Sequence, residues 1–203
     1  MEELKLIESA QKGDLDSFNR LVLLYQDSVF NLAFRILCND DLAQDAVQIT
    51  FISAYKNINN FRGGSFKAWL MRMVSNNCLD EIRRQKRHPH FSLEPIDSQS
   101  DDEIENPPWL KDDTPSPESL LEMKDLENGI QHCLNELPDD FKLVVLLVDV
   151  EGLDYSEVAQ SIRKPLGTVK SRLSRARLKL RDCLVGFREL LPDGIRLEGE
   201  KQL

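Results

Sequence analysis

Apolar residues recur along this chain at intervals of three and four, and the interruptions fall where helices should end. Leu4, Ile7, Ala10 and Gln11 share one face of a short helix that stops at Gly13. Phe18, Leu21, Val22, Tyr25, Val29, Leu32, Ala33, Ile36 and Leu37 carry the same spacing through a long second helix, with Asp16 as its expected cap. Asn39-Asp40-Asp41 breaks that helix and caps a third, which turns Leu42, Ala46, Ile49, Ile52, Ser53 and Ala54 inward. The stretch NINNFRGG, residues 57–64, is turn-rich. A fourth helix follows from Ser65 to Arg84, with Phe66, Trp69, Leu70, Met73, Val74, Cys78 and Ile82 on its inner face.

The helical pattern stops there and resumes near Pro117 or Glu118. Leu120, Leu121, Met123, Leu126, Ile130, Leu134 and Leu137 mark the next helix. Pro138 opens another whose core is FKLVVLLVDV; the run is β-branched enough for a strand, but its Pro-Asp-Asp start and Gly152 stop favour helix. Then comes YSEVAQSIRKPLGTVKSRLSRARLKL, a short helix, a turn and a second helix, in which Val158, Ala159 and Ile162 would face Val169, Leu173 and Ala176. The position that often holds glycine in such a turn is Arg163, which strains the backbone if it needs positive φ. The fold class is therefore all-α, with two helical blocks.

Charge sharpens the division. The chain of 203 residues carries a net −9, yet residues 92–118 hold nine acidic groups against one basic, and five of the nine prolines. Too few apolar groups lie there to offset chain ordering, so 92–118 is expected to be a flexible acidic linker. Expected boundaries are 1–91 for the first domain, 119–190 for the second and 191–203 for a tail. No run of about 18 apolar residues is present, and the acidic, amphipathic start does not resemble a signal peptide, so a cytoplasmic protein is expected. Cys38, Cys78, Cys133 and Cys183 are widely spaced among apolar helical positions and are expected to be buried thiols. His88, His90 and His132 form no convincing metal set with them, and no cofactor is expected.

Two segments carry basic charge against this background. From Arg163 to Arg181 there are eight basic residues and no acidic one. Lys170, Ser171, Ser174 and Arg175 fall at i, i+1, i+4 and i+5, so one major groove can meet all four, while Arg172 and Arg177 lie nearer the flanks, where phosphates run. From Arg62 to Arg87 there are seven basic and two acidic residues, with Phe61, Phe66 and Trp69 interleaved. Such a mixture suits single-stranded nucleic acid, the cations following the backbone and the rings stacking on bases. Phe66 and Trp69 also fit the core stripe, so Phe61 and Arg62, in the turn, are the better candidates, with Lys67 and Arg72 beside them.

Taken in order, LIESAQKGDLDSFNRLVLLYQDSVFNLAFRIL, DAVQITFISAYKNINNFRG, FKAWLMRMVSNNCLDEIRR, LNELPDDFKLVVLLVDVEGLDYSEVAQSI and GTVKSRLSRARLKL resemble the extracytoplasmic-function group of sigma-70 family sigma factors over roughly residues 4–190. The resemblance implies a subunit that binds core RNA polymerase, directs it to promoters with −35 and −10 elements and assists strand opening. It implies that Lys170–Arg177 reads the −35 element. It places the −10 strand on Phe61, Arg62, Lys67, Arg72 and Asn76, the last matching a base-contacting position. It puts Asp45 and Gln48 against the β′ clamp helices of the polymerase, within an exposed polar face that also takes Gln44 and Thr50. The linker has a counterpart that threads toward the polymerase active-site cleft, and either nucleic-acid mimicry or simple tethering fits its charge. A cognate anti-sigma factor is a further implied partner, and no small-molecule substrate is.

Two other readings compete. A stand-alone DNA-binding regulator would need the basic helix alone, but the acidic remainder would be repelled by DNA. A nucleic-acid hydrolase would need clustered carboxylates for Mg²⁺, and Asp101, Asp102 and Glu103 lie in the linker.

Overall fold

The computed structural model describes residues 2–87 and 117–190, with no side-chain placement for 117–122; the expected linker, the tail, His88 and His90 lie outside them or, for residues 117 and 118, at their edge. Among the described residues there are helices and turns only. The first block holds α1 (Glu2–Gln11), α2 (Leu15–Leu37), α3 (Asp40–Asn57) and α4 (Phe66–Arg87). The second holds α5 (Pro117–Asn135), α6 (Asp139–Val145), α7 (Tyr155–Ile162) and α8 (Leu166–Leu184), with a wider π turn over Leu146–Val150 and a tight 3-10 stretch over Val185–Leu190.

Local chemistry sets the helix ends. Gly13 turns the chain at φ 94°, and Asp14, rather than Asp16, caps α2 by accepting from the Asp16 amide. Asn39 caps α3 as expected, its Oδ1 accepting from the Leu42 amide at 2.9 Å. Asp154 and Glu157 form a reciprocal capping box on α7: Asp154 accepts from the amides of Ser156 and Glu157, and Glu157 accepts from the Asp154 amide. The FKLVVLLVDV run is helical throughout and turns at Gly152, φ 70°.

In the first block Leu21, Val29, Leu32, Leu70, Met71 and Val74 are fully enclosed between α2 and α4. Helix α3 corrects the expected face. It packs through Ala43, Ala46, Thr50 and Ala54, whose small side chains let it lie close to α2 and α4. Thr50 is therefore buried rather than exposed; its hydroxyl donates to the Ala46 carbonyl at 2.7 Å and accepts from Asn77 Nδ2 at 2.9 Å. Ile49 and Ile52, expected inside, are 52% and 49% exposed.

The blocks also pack on each other. Gln131 Nε2 and Lys142 Nζ donate to the carbonyls of Arg35 and Ile36, so two carbonyls at the C-terminal end of α2 are satisfied from the second block. Lys142 is only 7% exposed, and burial pushes its ammonium below its ordinary value; Asn135 Oδ1 accepts from it at 2.8 Å. Lys86 pairs with Asp139 at 2.7 Å, and α4 touches α7.

The expectation of four buried thiols holds only for Cys78. Cys133 and Cys183 are joined in a disulfide between α5 and the end of α8, and Cys38 is exposed at the C-cap of α2, in left-handed backbone at φ 55°.

Candidate nucleic-acid interface

The second basic segment becomes a helix-turn-helix. Val158 meets Val169, Leu173 and Ala176 in its core, while Ala159 and Ile162 are partly buried against it. Arg163 adopts φ 53°, ψ 48° and ends α7, its amide bonding back to Gln160; the Lys164 amide reaches Ala159. A left-handed residue with a Cβ costs about 1 kcal/mol, so Arg163→Gly should raise stability by about that amount in urea unfolding. An unchanged or lowered midpoint would mean the Arg163 side chain compensates the strain. Pro165 precedes α8 as its cap, where its missing N–H removes no helical bond.

On α8 the exposed face holds Lys170, Ser171, Ser174 and Arg175, the four that the spacing placed together. Neither Lys170 nor Arg175 has an ion pair within the described residues. Ser171 donates to the Thr168 carbonyl at 3.1 Å, leaving its oxygen outward as an acceptor. Arg172 and Arg177 are engaged differently. Arg172 pairs with Asp140 of α6 at 2.6 Å and is mostly covered. Arg177 grips Asp149 of the π turn with two bonds, Nε to Oδ2 at 3.0 Å and Nη2 to Oδ1, which first of all raises its already high pKa. Both arginines thus fasten α8 to the helix and turn behind it. Spacing set them toward the flanks of that face but did not reveal these inward ties, because their carboxylate partners lie more than 25 residues upstream.

The first basic segment is less open. Arg62 and Asn76 are exposed and Arg72 is half-buried. The Phe61–Ser65 turn contains Gly63 and Gly64 at φ 97° and 88°. Phe61, expected to offer its ring from that turn, is 8% exposed and packs edge-on to Phe66 and tilted on Trp69, with centroids 5.4 and 5.6 Å away. Its ring face is taken up by protein in this arrangement. The carbonyls of Ile58 and Phe61 accept from Gln11 Nε2 at 3.0 and 2.9 Å, so α1 pins the turn; Gln11 was legible only as a polar member of an apolar face. Lys67 crosses to the second block, donating to the Glu151 carbonyl at 2.7 Å and pairing with its carboxylate at 3.0 Å.

On α3, Asp45 and Gln48 are exposed and sit beside Ile49 and Ile52. The spacing i, i+3, i+4, i+7 puts all four on one side, a mixed apolar and polar surface. Sequence reasoning missed the two isoleucines because it assigned them to the core. Among the described residues no group of three or more histidine, cysteine, aspartate or glutamate side chains could hold a metal ion, and no helix is long and apolar enough to cross a membrane.

Residues 21–88 match the family model Sigma-70 region 2, and residues 127–180 match Sigma-70, region 4. The chain is 34% identical over 176 residues to the ECF RNA polymerase sigma factor SigE of Mycolicibacterium smegmatis, covering 87% of this chain and 65% of that protein. It therefore spans just under two thirds of that relative's length. Against the RNA polymerase sigma-H factor of Pseudomonas aeruginosa it is 34% identical over 177 residues, with 87% of this chain and 90% of the other covered. The fold is similar to that of the sigma factor RpoE of Bartonella quintana, solved in complex with the anti-sigma factor NepR, at a TM-score of 0.61 and 25% identity, covering 83% of this chain and 96% of that one.

Proposed function

This chain belongs to the sigma-70 family of RNA polymerase sigma factors, in its extracytoplasmic-function group, and from this premise we propose that it binds core RNA polymerase, brings it to a promoter with −35 and −10 elements and assists strand opening. It acts where the polymerase does, in the cytoplasm, as a promoter-directing factor rather than an enzyme. The observation that supports the DNA reading best is the exposed Lys170, Ser171, Ser174 and Arg175 face of α8. Lys170 and Arg175 can donate to guanine edges, and the serine hydroxyls to bases or phosphates. Arg172 and Arg177 hold the helix at the angle that presents this face.

Asp45 and Gln48, with Ile49 and Ile52, are assigned to the β′ clamp helices. A carboxylate there can pair with an arginine across the interface, and the two isoleucines supply apolar area. Arg62, Lys67, Arg72 and Asn76 are assigned to the opened −10 strand, and Phe61 to the packing that supports the turn. An anti-sigma factor is a further expected partner, as in the Bartonella complex.

The two grips cannot work while they touch. Elements about 25 base pairs apart are separated by roughly 85 Å of duplex, whereas α4 and α7 are in contact. The blocks must part. The 29 residues from 88 to 116 reach at most about 100 Å when extended, so the connection permits it.

The deciding test is transcription in vitro with core polymerase and a promoter library. A transcript that depends on both this chain and the promoter supports the assignment; tight duplex binding by the chain alone, with no transcript, favours a free-standing regulator. Asp45→Ala with Gln48→Ala should lower affinity for core polymerase by about tenfold while leaving the α8 face intact. Unaltered core binding would remove these residues from the interface.

A further inference from the structure

We propose that Cys133 and Cys183 form a reversible thiol–disulfide exchange site that stabilises the DNA-reading domain in its oxidised state. The two residues stand 50 positions apart, yet their Cα atoms are 5.7 Å apart and their sulfurs are bonded. The bond joins α5, which opens the second block, to the last turn of α8, which closes it, so α6, the π turn and α7 all lie within the loop it makes. Its two ends differ in access: Cys133 is 1% exposed, whereas Cys183 is half-buried at the surface. The surroundings are fitted together. At Gly129, one turn before Cys133, a Cβ would stand 3.0 Å from the Phe187 ring, and the His132 ring meets Phe187 edge-on with centroids 5.6 Å apart.

The reversible character rests on the sigma reading. A protein that works beside RNA polymerase meets a thiol-reducing pool, where a permanent structural disulfide is rare and an exchanging one is the usual kind. The oxidant is a low-molecular-weight disulfide such as oxidised glutathione. The Cys183 thiolate, the accessible one, attacks a sulfur of that disulfide, forming a mixed disulfide and releasing one thiol. The Cys133 thiolate then attacks Cys183 Sγ, forming the internal bond and releasing the second thiol. Two protein thiols and one external disulfide become one protein disulfide and two external thiols, and a dithiol reductant reverses the sequence.

The bond cannot act by touching DNA. Cys183 is eight residues beyond Arg175 on the same helix, roughly 12 Å along its axis. It acts on the folded population instead. Closing a loop of this length restricts the unfolded chain, which raises the thermal midpoint of a small domain by about 10 °C or more. Duplex binding should then be equal for the two states in the cold and stronger for the oxidised state near the reduced form's midpoint.

The test uses the full chain with Cys38→Ser, which removes the other exposed thiol, reduced with a phosphine and then incubated with oxidised glutathione. Alkylation and peptide mass analysis should show a Cys133–Cys183 link, and circular dichroism should show a midpoint about 10 °C higher that dithiothreitol reverses. Cys183→Ala should lose both the link and the shift. Glutathione retained on Cys183 without the internal bond, or a link that leaves the midpoint unchanged, would overturn the proposal. A reversible shift in a chain that gives no promoter-dependent transcript would support the exchange site while sinking the sigma reading.

Discussion

Arg175→Ala is expected to weaken binding to a −35 duplex by roughly 10- to 100-fold, the range for losing one bidentate contact to a base. Arg175 is exposed on the outer face of α8 beside Ser171 and Ser174, and no internal carboxylate competes for its guanidinium among the described residues. Core polymerase affinity and thermal midpoint should stay at the parent values, because the side chain supports neither packing nor a cap. Fluorescence anisotropy on matched and base-substituted duplexes checks it: discrimination at one position should relax. A uniform loss across sequences would make Arg175 a phosphate contact, and a loss of core affinity would detach α8 from DNA reading. Arg177→Ala is the contrasting case. It removes both bonds to Asp149, so its first effect falls on stability, with duplex affinity following from a loosened helix.

The second large effect concerns Cys78. Its thiol is enclosed on the inner face of α4, and burial pushes its pKa from 9.0 up to about 12. Below pH 9 the thiol is protonated in both folded and unfolded chains, and its contribution is intact. Between pH 9 and about 12 the unfolded chain releases the proton and the folded one keeps it, so stability falls as pH rises. At about 1.4 kcal/mol per pH unit, the loss approaches 4 kcal/mol at the top of that window. Tyr25, whose hydroxyl is raised first by burial and then by its bond to Glu3, adds to the loss above pH 10. Lys142 works in the opposite direction: its lowered pKa makes stability rise toward pH 10.5. Comparison with Cys78→Ala isolates the thiol. The variant should be less stable at pH 7, from the lost packing, and should close on and then overtake the parent as pH passes 9. Urea titrations under reducing conditions at pH 8, 10 and 11 measure this, and a gap that does not change with pH would show that the thiol ionises as freely as in the unfolded chain.

Much of the fold was legible because helix ends announce themselves chemically. Asn39, Pro138 and Gly152 each stop or start a helix where the sequence suggested. What failed did so where tertiary packing overrode local preference. Hydrophobicity nominated Ile49 and Ile52 for the core of α3, but α3 lies too close to α2 and α4 for them, and a stripe of alanines with Thr50 occupies that side. Phe61 sits in a turn whose carbonyls are anchored by Gln11, and its ring packs inward on Phe66 and Trp69, tertiary contacts that no local pattern shows. That Lys170, Ser171, Ser174 and Arg175 share one exposed face of α8 was readable from spacing alone, because i, i+1, i+4 and i+5 on a helix fix direction. The inward ties of Arg172 and Arg177 were not, since they depend on where Asp140 and Asp149 come to lie. The cysteine pair was invisible for the same reason: nothing local relates positions 133 and 183.

Lys142 gives the contact between the blocks a particular temper. An ammonium that plugs the end of α2 is surrounded by carbonyl and amide oxygens but has been stripped of most of its water. The attraction it provides is thus set against its own dehydration. When the blocks separate, the charge recovers its hydration shell at the same moment that α2 loses its plug, and the two changes offset each other. An all-apolar seam in that place would have no such refund and would hold harder. The joint is therefore of the kind that specifies one docking pose with little net attraction holding it there, which fits the separation proposed for the two units.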